Sequence, residues 1–144
     1  MSFALDVNLL LYAANTGCAE HERALRFLTA CAEGDETVCL AWPTLQAFLR
    51  ISTHPAIFPH PLSWTQAVRA LDALLSLPHV HPISELEGFW AVLQETAGAL
   101  LPRGNLVPDA HLAAILRQNG VRVLYTCDRD FRRFSFLEVR DPLG

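Results

Sequence analysis

Phe3-Ala4-Leu5-Asp6-Val7-Asn8-Leu9-Leu10-Leu11-Tyr12 decides how the rest of the chain is read. Phe3 to Leu5 is a short apolar run that stops at a carboxylate, and from Val7 the chain continues into a helical turn; this is a buried strand delivering an acid to its end. Thr37-Val38-Cys39-Leu40-Ala41 repeats the step from strand to helix, without the acid. It is β-favouring and ends before Trp42-Pro43, where Pro43 suits the first turn of a helix carrying Leu45, Phe48, Leu49 and Ser52. Between the two strands, residues 19 to 32 place Ala24, Leu25, Leu28 and Cys31 on one helical stripe, with Glu20, Glu22, Arg23 and Arg26 on other faces.

The alternation continues. Pro55, Pro59 and Pro61 make residues 53 to 63 a surface loop. Ser63 caps a helix to about residue 77 with Val68, Leu71, Leu74 and Leu75 inward, and an extended piece follows near residues 80 to 83. Ser84 and Glu87 have capping-box spacing and predict a helix from 84 to about 100. A link at 102 to 107 leads to a helix opening at Pro108-Asp109, with Leu112, Ile115 and Leu116 as its stripe and Asn119-Gly120 as its stop. Residues 121 to 125 form a strand, and Phe136 to Val139 a final edge strand. Repeated strand and helix imply an α/β fold, a mainly parallel sheet between helices, in one domain covering residues 1–144.

With 144 residues, 51% of them hydrophobic and 18% charged, the chain has enough apolar surface to fold around a core. No apolar stretch reaches the roughly 18 residues of a membrane span, and Met1-Ser2-Phe3 lacks a signal-like start; the expected location is cytoplasmic, with no membrane partner. All eleven basic residues are arginine. Without lysine, a P-loop NTPase or a protein kinase loses its phosphate-binding group. A net charge of −4 argues against broad electrostatic adhesion to nucleic acid, so any chemistry on it must be local and metal-assisted. Cys18, Cys31, Cys39 and Cys127 have no zinc-like spacing and are read as reduced thiols. His79 and His81 share a strand face but sit between Pro78 and Pro82, an edge or loop pair rather than a ligand pair.

Among the seven aspartates, Asp6 and Asp128 follow strands, and the carboxyl ends of parallel strands are where open α/β sheets bind ligands. Asp109 opens a helix, where free amides favour a carboxylate. Taken singly, each is also an ordinary cap or turn residue. If they meet, the crowded charge requires a shared cation, and oxygen ligands without cysteine or histidine select Mg²⁺ or Mn²⁺, which can activate water for phosphodiester hydrolysis.

Leu5-Asp6-Val7-Asn8-Leu9-Leu10, residues 104 to 114 around Val107-Pro108-Asp109-Ala110, and Thr126-Cys127-Asp128-Arg129-Asp130-Phe131 resemble the three acidic motifs of PIN-domain nucleases. Their order and separation are similar to those of the VapC-type ribonuclease toxins of type II toxin–antitoxin systems. Trp42 through Pro55 resembles a subgroup common in mycobacteria and related high-GC bacteria. The resemblance implies a PIN-like three-layer α/β/α sandwich, a divalent-metal endoribonuclease acting on structured RNA such as tRNA or rRNA, and a cognate VapB-type antitoxin. It puts Asp6, Asp109 and Asp128 on the metal-site positions, with Asp130 a fourth acid of the catalytic set.

Asn8, Asn105 and Thr126 stand beside the acids and are placed to orient metal waters. Arg50, Arg129, Arg132 and Arg133 are candidates for RNA phosphates. Trp42, Phe48 and Trp64 could stack on bases, but their helical spacing among Leu and Ala makes them core residues. One departure from the family is plain: Thr44-Leu45-Gln46-Ala47-Phe48-Leu49-Arg50 has no acid where most PIN nucleases carry a glutamate. Glu85, Glu87 and Glu95 are the possible substitutes, each also an ordinary solvated helix charge. The alternatives are therefore a degenerate PIN domain that binds a protein or RNA without cleavage, and an unrelated α/β module whose aspartates lie apart. Helices near Leu9 to Ala13 and Leu45 to Ile51 carry more apolar positions than one layer buries, which predicts a homodimer.

Overall fold

In the computed structural model, which describes all 144 residues, strands β1 (Ser2–Leu5), β2 (Thr37–Ala41), β3 (Val80–Ile83), β4 (Val123–Tyr125) and β5 (Glu138–Arg140) form one sheet. Its order is β3-β2-β1-β4-β5, and every pairing is parallel. β1 is central, with Phe3 opposite Val38 of β2 and Leu5 opposite Tyr125 of β4. The helices are α1 (Val7–Ala14), α2 (His21–Glu33), α3 (Trp42–Ser52), α4 (Trp64–Leu75), α5 (Phe89–Ala97) and α6 (Leu106–Gln118), with short 3-10 helices at Gly98–Leu100 and Arg129–Arg133. No helix is long and apolar enough to cross a membrane.

The two faces of the sheet differ because strand side chains alternate. Phe3, Leu5, Val38, Leu40, Val80 and Val123 enter one core with Leu9 and Leu10 of α1, Leu28 of α2, Leu45 and Phe48 of α3 and Leu71 of α4. Ala4, Cys39, Ala41 and Leu124 enter the other, with Ala110, Leu112, Ala113, Ile115 and Leu116 of α6 and Phe131, Phe134 and Leu137. Small residues on the second face let α6 approach the sheet closely. The result is the expected three-layer α/β/α sandwich.

Local chemistry moved several boundaries. The capping box forms at Ser63, whose Oγ accepts from Gln66 N while Gln66 Oε1 accepts from Ser63 N. The one expected at Ser84 does not form: Ser84 Oγ donates to Glu85, and the helix waits until Phe89, after Gly88 in the left-handed region. Gln118 and Asn119 side chains hold the intervening loop through the Leu86, Glu87 and Ser84 backbones, which gives that segment its hydrogen bonds without a helix. α6 starts at Leu106 rather than Pro108, because a proline is tolerated anywhere in the first turn. β4 begins two residues later than expected, and β5 is displaced to Glu138–Arg140.

Phe48 is buried as expected, but Trp42 and Trp64 are 54% and 65% exposed. Each is the first residue of its helix, so the stripe that carries Leu45 and Phe48, or Ala67 and Leu71, inward leaves the indole outside. The apolar residues of α1 and α3 named as surplus are buried or half-buried; the large exposed ones are elsewhere, among them Leu86, Trp90 and Leu101. All four cysteines are free, as expected.

Ala113 is fully buried in the core that seats α6 on the sheet. Ala113→Leu overfills that contact and is expected to cost about 1–3 kcal/mol, measured by chemical denaturation. A variant as stable as the parent would show that α6 has slack against the sheet.

Candidate metal centre

The chain leaves β1 to build β2 and β3 on one side and returns to build β4 and β5 on the other. That reversal between β1 and β4 opens a crevice at their carboxyl ends. Asp6 directly follows β1, and Asp128 lies just beyond β4. α6 leads into β4 and so begins at this same edge, carrying Asp109 in its first turn. Three segments remote in sequence thus place carboxylates in one crevice.

Hydrogen bonds fix two of them. Asp6, only 8% exposed, accepts from Val7 N at 2.7 Å, Thr126 Oγ1 at 2.7 Å and Asn8 Nδ2 at 3.3 Å. Thr126 Oγ1 in turn accepts from Asp128 N at 3.0 Å and Asn8 Nδ2 at 3.2 Å. Asp128 Oδ1 accepts from Asp130 N at 2.9 Å, which starts the 3-10 turn. Asp6 and Asp128 are therefore caps as well as members of the acidic site.

One carboxylate oxygen from each of Asp109, Asp128 and Asp130 lies within 4.8 Å of the others. Asp130, expected as the fourth acid, belongs to this trio, whereas Asp6, expected as a ligand, lies outside it, more deeply buried and held by its hydrogen bonds. The crowding is visible in proton affinity. Burial pushes the half-buried Asp109 carboxyl up to about 6, with Asp128, Asp6 and Asp130 adding repulsion. This outweighs the preference of a helix N-terminus for a charged carboxylate. Burial also raises Asp6, against the bonds from Thr126 and Val7. Hard oxygen donors, no sulfur or imidazole among them, and charge waiting to be neutralised together fit a divalent cation. Ligand oxygens on one small cation stand at most about 4.2 Å apart, so the trio needs only slight side-chain adjustment.

The other expected residues divide. Asn8 and Thr126 are in the hydrogen-bond network, whereas Asn105 is exposed and makes no side-chain hydrogen bond. Arg129, Arg132 and Arg133 are exposed on the 3-10 turn after Asp128, and Arg129 and Arg132 line a polar recess of about 320 Å³ with Thr126 and Asp141. Arg50 is on α3, outside that recess. Glu85 does not replace the absent α3 acid: it pairs with His111 at 3.6 Å, and Glu87 and Glu95 are exposed. His79 Nε2 contacts Cys31 O at 2.9 Å and ties the approach to β3 to α2, while His81 is exposed. Reasoning from sequence overlooked His111; only its place two residues after Asp109 could have flagged it.

The raised acids set a pH dependence. Asp109 binds its proton more tightly folded, at about 6, than at its ordinary 3.8, so in chelator the folded state gains stability as pH falls from 7 through 6 toward 4, and loses it as pH rises. Asp109→Asn should raise the melting temperature at pH 7.5 more than at pH 5. Equal effects at both would place no repulsion at this carboxylate.

A PIN domain family description matches residues 3–137. Among curated proteins, Ribonuclease VapC48 of Mycobacterium tuberculosis is 39% identical over 144 residues, covering 100% of this chain and 99% of the relative, and Ribonuclease VapC43 of the same species is 35% identical over 139 residues, covering 96% of this chain and 94% of the relative. Among solved structures, the VapBC2 complex of Rickettsia felis bound to a promoter DNA fragment superimposes with a TM-score of 0.69 at 19% identity, covering 97% of this chain and 98% of that one. The M. tuberculosis VapC20 toxin, which cleaves the sarcin-ricin loop, gives 0.67 at 20% identity, covering 96% and 99%. These two share the fold. With the family description spanning nearly all its length and a full-length relative at 39% identity, the chain belongs to the PIN-domain family of VapC ribonucleases.

Proposed function

We propose that this protein is the endoribonuclease toxin of a type II toxin–antitoxin pair, acting on structured RNA of the tRNA or rRNA class in the cytoplasm. The observation that carries the reading is the cluster of Asp109, Asp128 and Asp130, with the more deeply buried Asp6 outside it, at the switch point of the sheet. These acids would hold Mg²⁺ or Mn²⁺, which when bound supplies an activated water and neutralises charge at the phosphodiester. Thr126 keeps Asp6 and the Asp128 backbone in fixed relation, and Asn8 braces both. Arg129, Arg132 and Arg133 stand where phosphates flanking the scissile bond would be gripped. Cleavage breaks one P–O bond, with water supplying the hydroxyl to phosphorus and a proton to the leaving oxygen.

A cognate VapB-type antitoxin completes the reading. An apolar groove of about 290 Å³ runs between α1, α2, α3 and α4, lined by Leu10, Leu25, Leu28, Phe48, Leu71 and Leu74 among others. It suits the apolar face of an amphipathic segment, and a basic side chain continuing from it toward the acidic crevice would compete with the cation. Solved neighbours include VapBC2 of Rickettsia felis and FitAcB of Neisseria gonorrhoeae. A homodimer is part of the same proposal, with Leu86, Trp90 and Leu101 beside α5 as its exposed apolar contacts.

A second reading, binding without cleavage, is favoured by one observation: α3 carries no acid at all. Calorimetric titration with Mn²⁺ and an RNA cleavage assay separate the two.

Asp6→Asn and Asp109→Asn should each lower RNA cleavage by orders of magnitude while the fold, followed by circular dichroism, is retained. Undiminished cleavage in both would remove these residues from the reaction. Leu25 lines the apolar groove and is nearly half exposed, so Leu25→Glu should fold normally. It is expected to abolish recovery of the antitoxin complex on co-expression with the neighbouring gene, leaving cleavage intact.

A further inference from the structure

The two misplaced tryptophans do not lie on unrelated surfaces. Trp42 shares a shallow trough with Pro43, Gln46, Leu49, Glu85 and His111. Trp64 lines an adjoining one of about 720 Å³ that also contains Pro43, Gln46, Leu49 and His111, together with Arg50, Thr53 and Pro108. The shared residues make one continuous surface along α3 with an indole toward each end. Pro108, at its edge, directly precedes Asp109 of the acidic centre in the first turn of α6.

Its chemistry suits an unpaired nucleic-acid strand better than a second protein surface. Gln46, Arg50, Thr53 and His111 set polar groups into a largely apolar lining, the mixture that flat bases on a charged backbone present, whereas the groove between α1 and α4 is lined almost wholly by hydrophobic residues. Arg50 has no ion-pair partner, and the one acid facing the trough, Glu85, is paired with His111. A polyanion must reach an acidic centre on a protein of net charge −4 that has no lysine. Attraction from the molecule as a whole is therefore weak, and stacking, which does not depend on charge, adds affinity to what a few local arginines supply. Exposed indoles are the side chains best suited to that, since every base has a flat face and an unpaired one is free to use it.

We propose that Trp42 and Trp64 are base-stacking residues that seat an unpaired RNA segment in the α3 trough, with Arg50 on its backbone, and so lead the strand to Asp109. The proposal rests on the ribonuclease reading above and specifies which part of an RNA that site accepts.

The test uses the full chain in chelator and three probes: a short unstructured oligoribonucleotide, the same sequence as a duplex, and an abasic ribose-phosphate tract of equal length. Tryptophan emission should be quenched by the unpaired probe and by neither of the others. Trp42→Ala and Trp64→Ala should each weaken binding about tenfold, and Trp42→Phe should restore part of the loss. The double variant Trp42→Phe/Trp64→Phe retains only Trp90 and should lose the quench while keeping part of the affinity. Cleavage of the unpaired probe with Mn²⁺ should fall in parallel through KM. Equal quenching by the abasic tract overturns the proposal. So does unchanged binding and cleavage in the double alanine variant, whether or not sedimentation shows a dimer becoming a monomer; a shift would assign the trough to an interface between copies. In either case a parent protein that still cleaves RNA leaves the ribonuclease reading standing, whereas a parent that neither binds nor cleaves RNA removes both.

Discussion

A single hydroxyl joins the two halves of this molecule. Thr126 Oγ1 donates to Asp6 at the end of β1 and accepts the backbone N–H of Asp128 beyond β4, across 120 residues of sequence. Each of these groups is at or near the floor of the crevice, where a missing partner would leave a polar atom without water to replace it. The bond also sets distance: with Asp6 and the Asp128 backbone both fixed to one oxygen, the acids cannot drift apart to relieve their repulsion. Asn8 reinforces the arrangement by donating to both Asp6 and Thr126.

The cost of that rigidity is electrostatic. Asp109 is driven up to about 6 by burial and by three neighbouring carboxylates, although it lies in the first turn of a helix, where a negative charge is ordinarily welcome. α6 cannot retreat, because its alanines are packed against Ala4, Cys39 and Ala41 of the sheet. Packing on one face of the sheet thus holds Asp109 in an unfavourable field, and a cation or a proton is what relieves it. The chain tolerates the arrangement because the crevice is open to solvent on the side of Asp130.

The surroundings of the centre are chemically divided. Toward α1 and α4 the surface is an apolar groove fit for a helix face. Along α3 it is a trough of mixed lining with an indole toward each end, and beyond β4 it is a recess bearing arginines. The absence of an acid on α3 belongs to this division, since Gln46, Ala47 and Arg50 occupy the part of the helix that faces the trough and leave it uncharged or basic. The acids are therefore flanked by surfaces of different chemistry on different sides.

Much of this was legible in the chain itself. Apolar runs ending at Asp6 and near Asp128, the stripe of α6 and the proline-rich loop after α3 are local signals, and local periodicity is enough to specify a parallel sheet between helices and to nominate its carboxyl edge. The arrival of three remote acids in one crevice was nominated by position but decided only by sheet order, which puts β4 rather than β2 on the far side of β1. Local spacing failed where tertiary partners intervened: Ser84 and Glu87 had the pattern of a cap, yet Gln118 and Asn119 supplied the segment's hydrogen bonds and the helix began later. It failed again at Trp42 and Trp64, because helical spacing states which residues share a face, while a residue at the first position of a helix is buried only if another element lies across its end. Sequence determined the elements and the acids they carry; which acid is held by hydrogen bonds, which is held by packing, and which aromatics meet solvent depend on long-range contacts that no local pattern encodes.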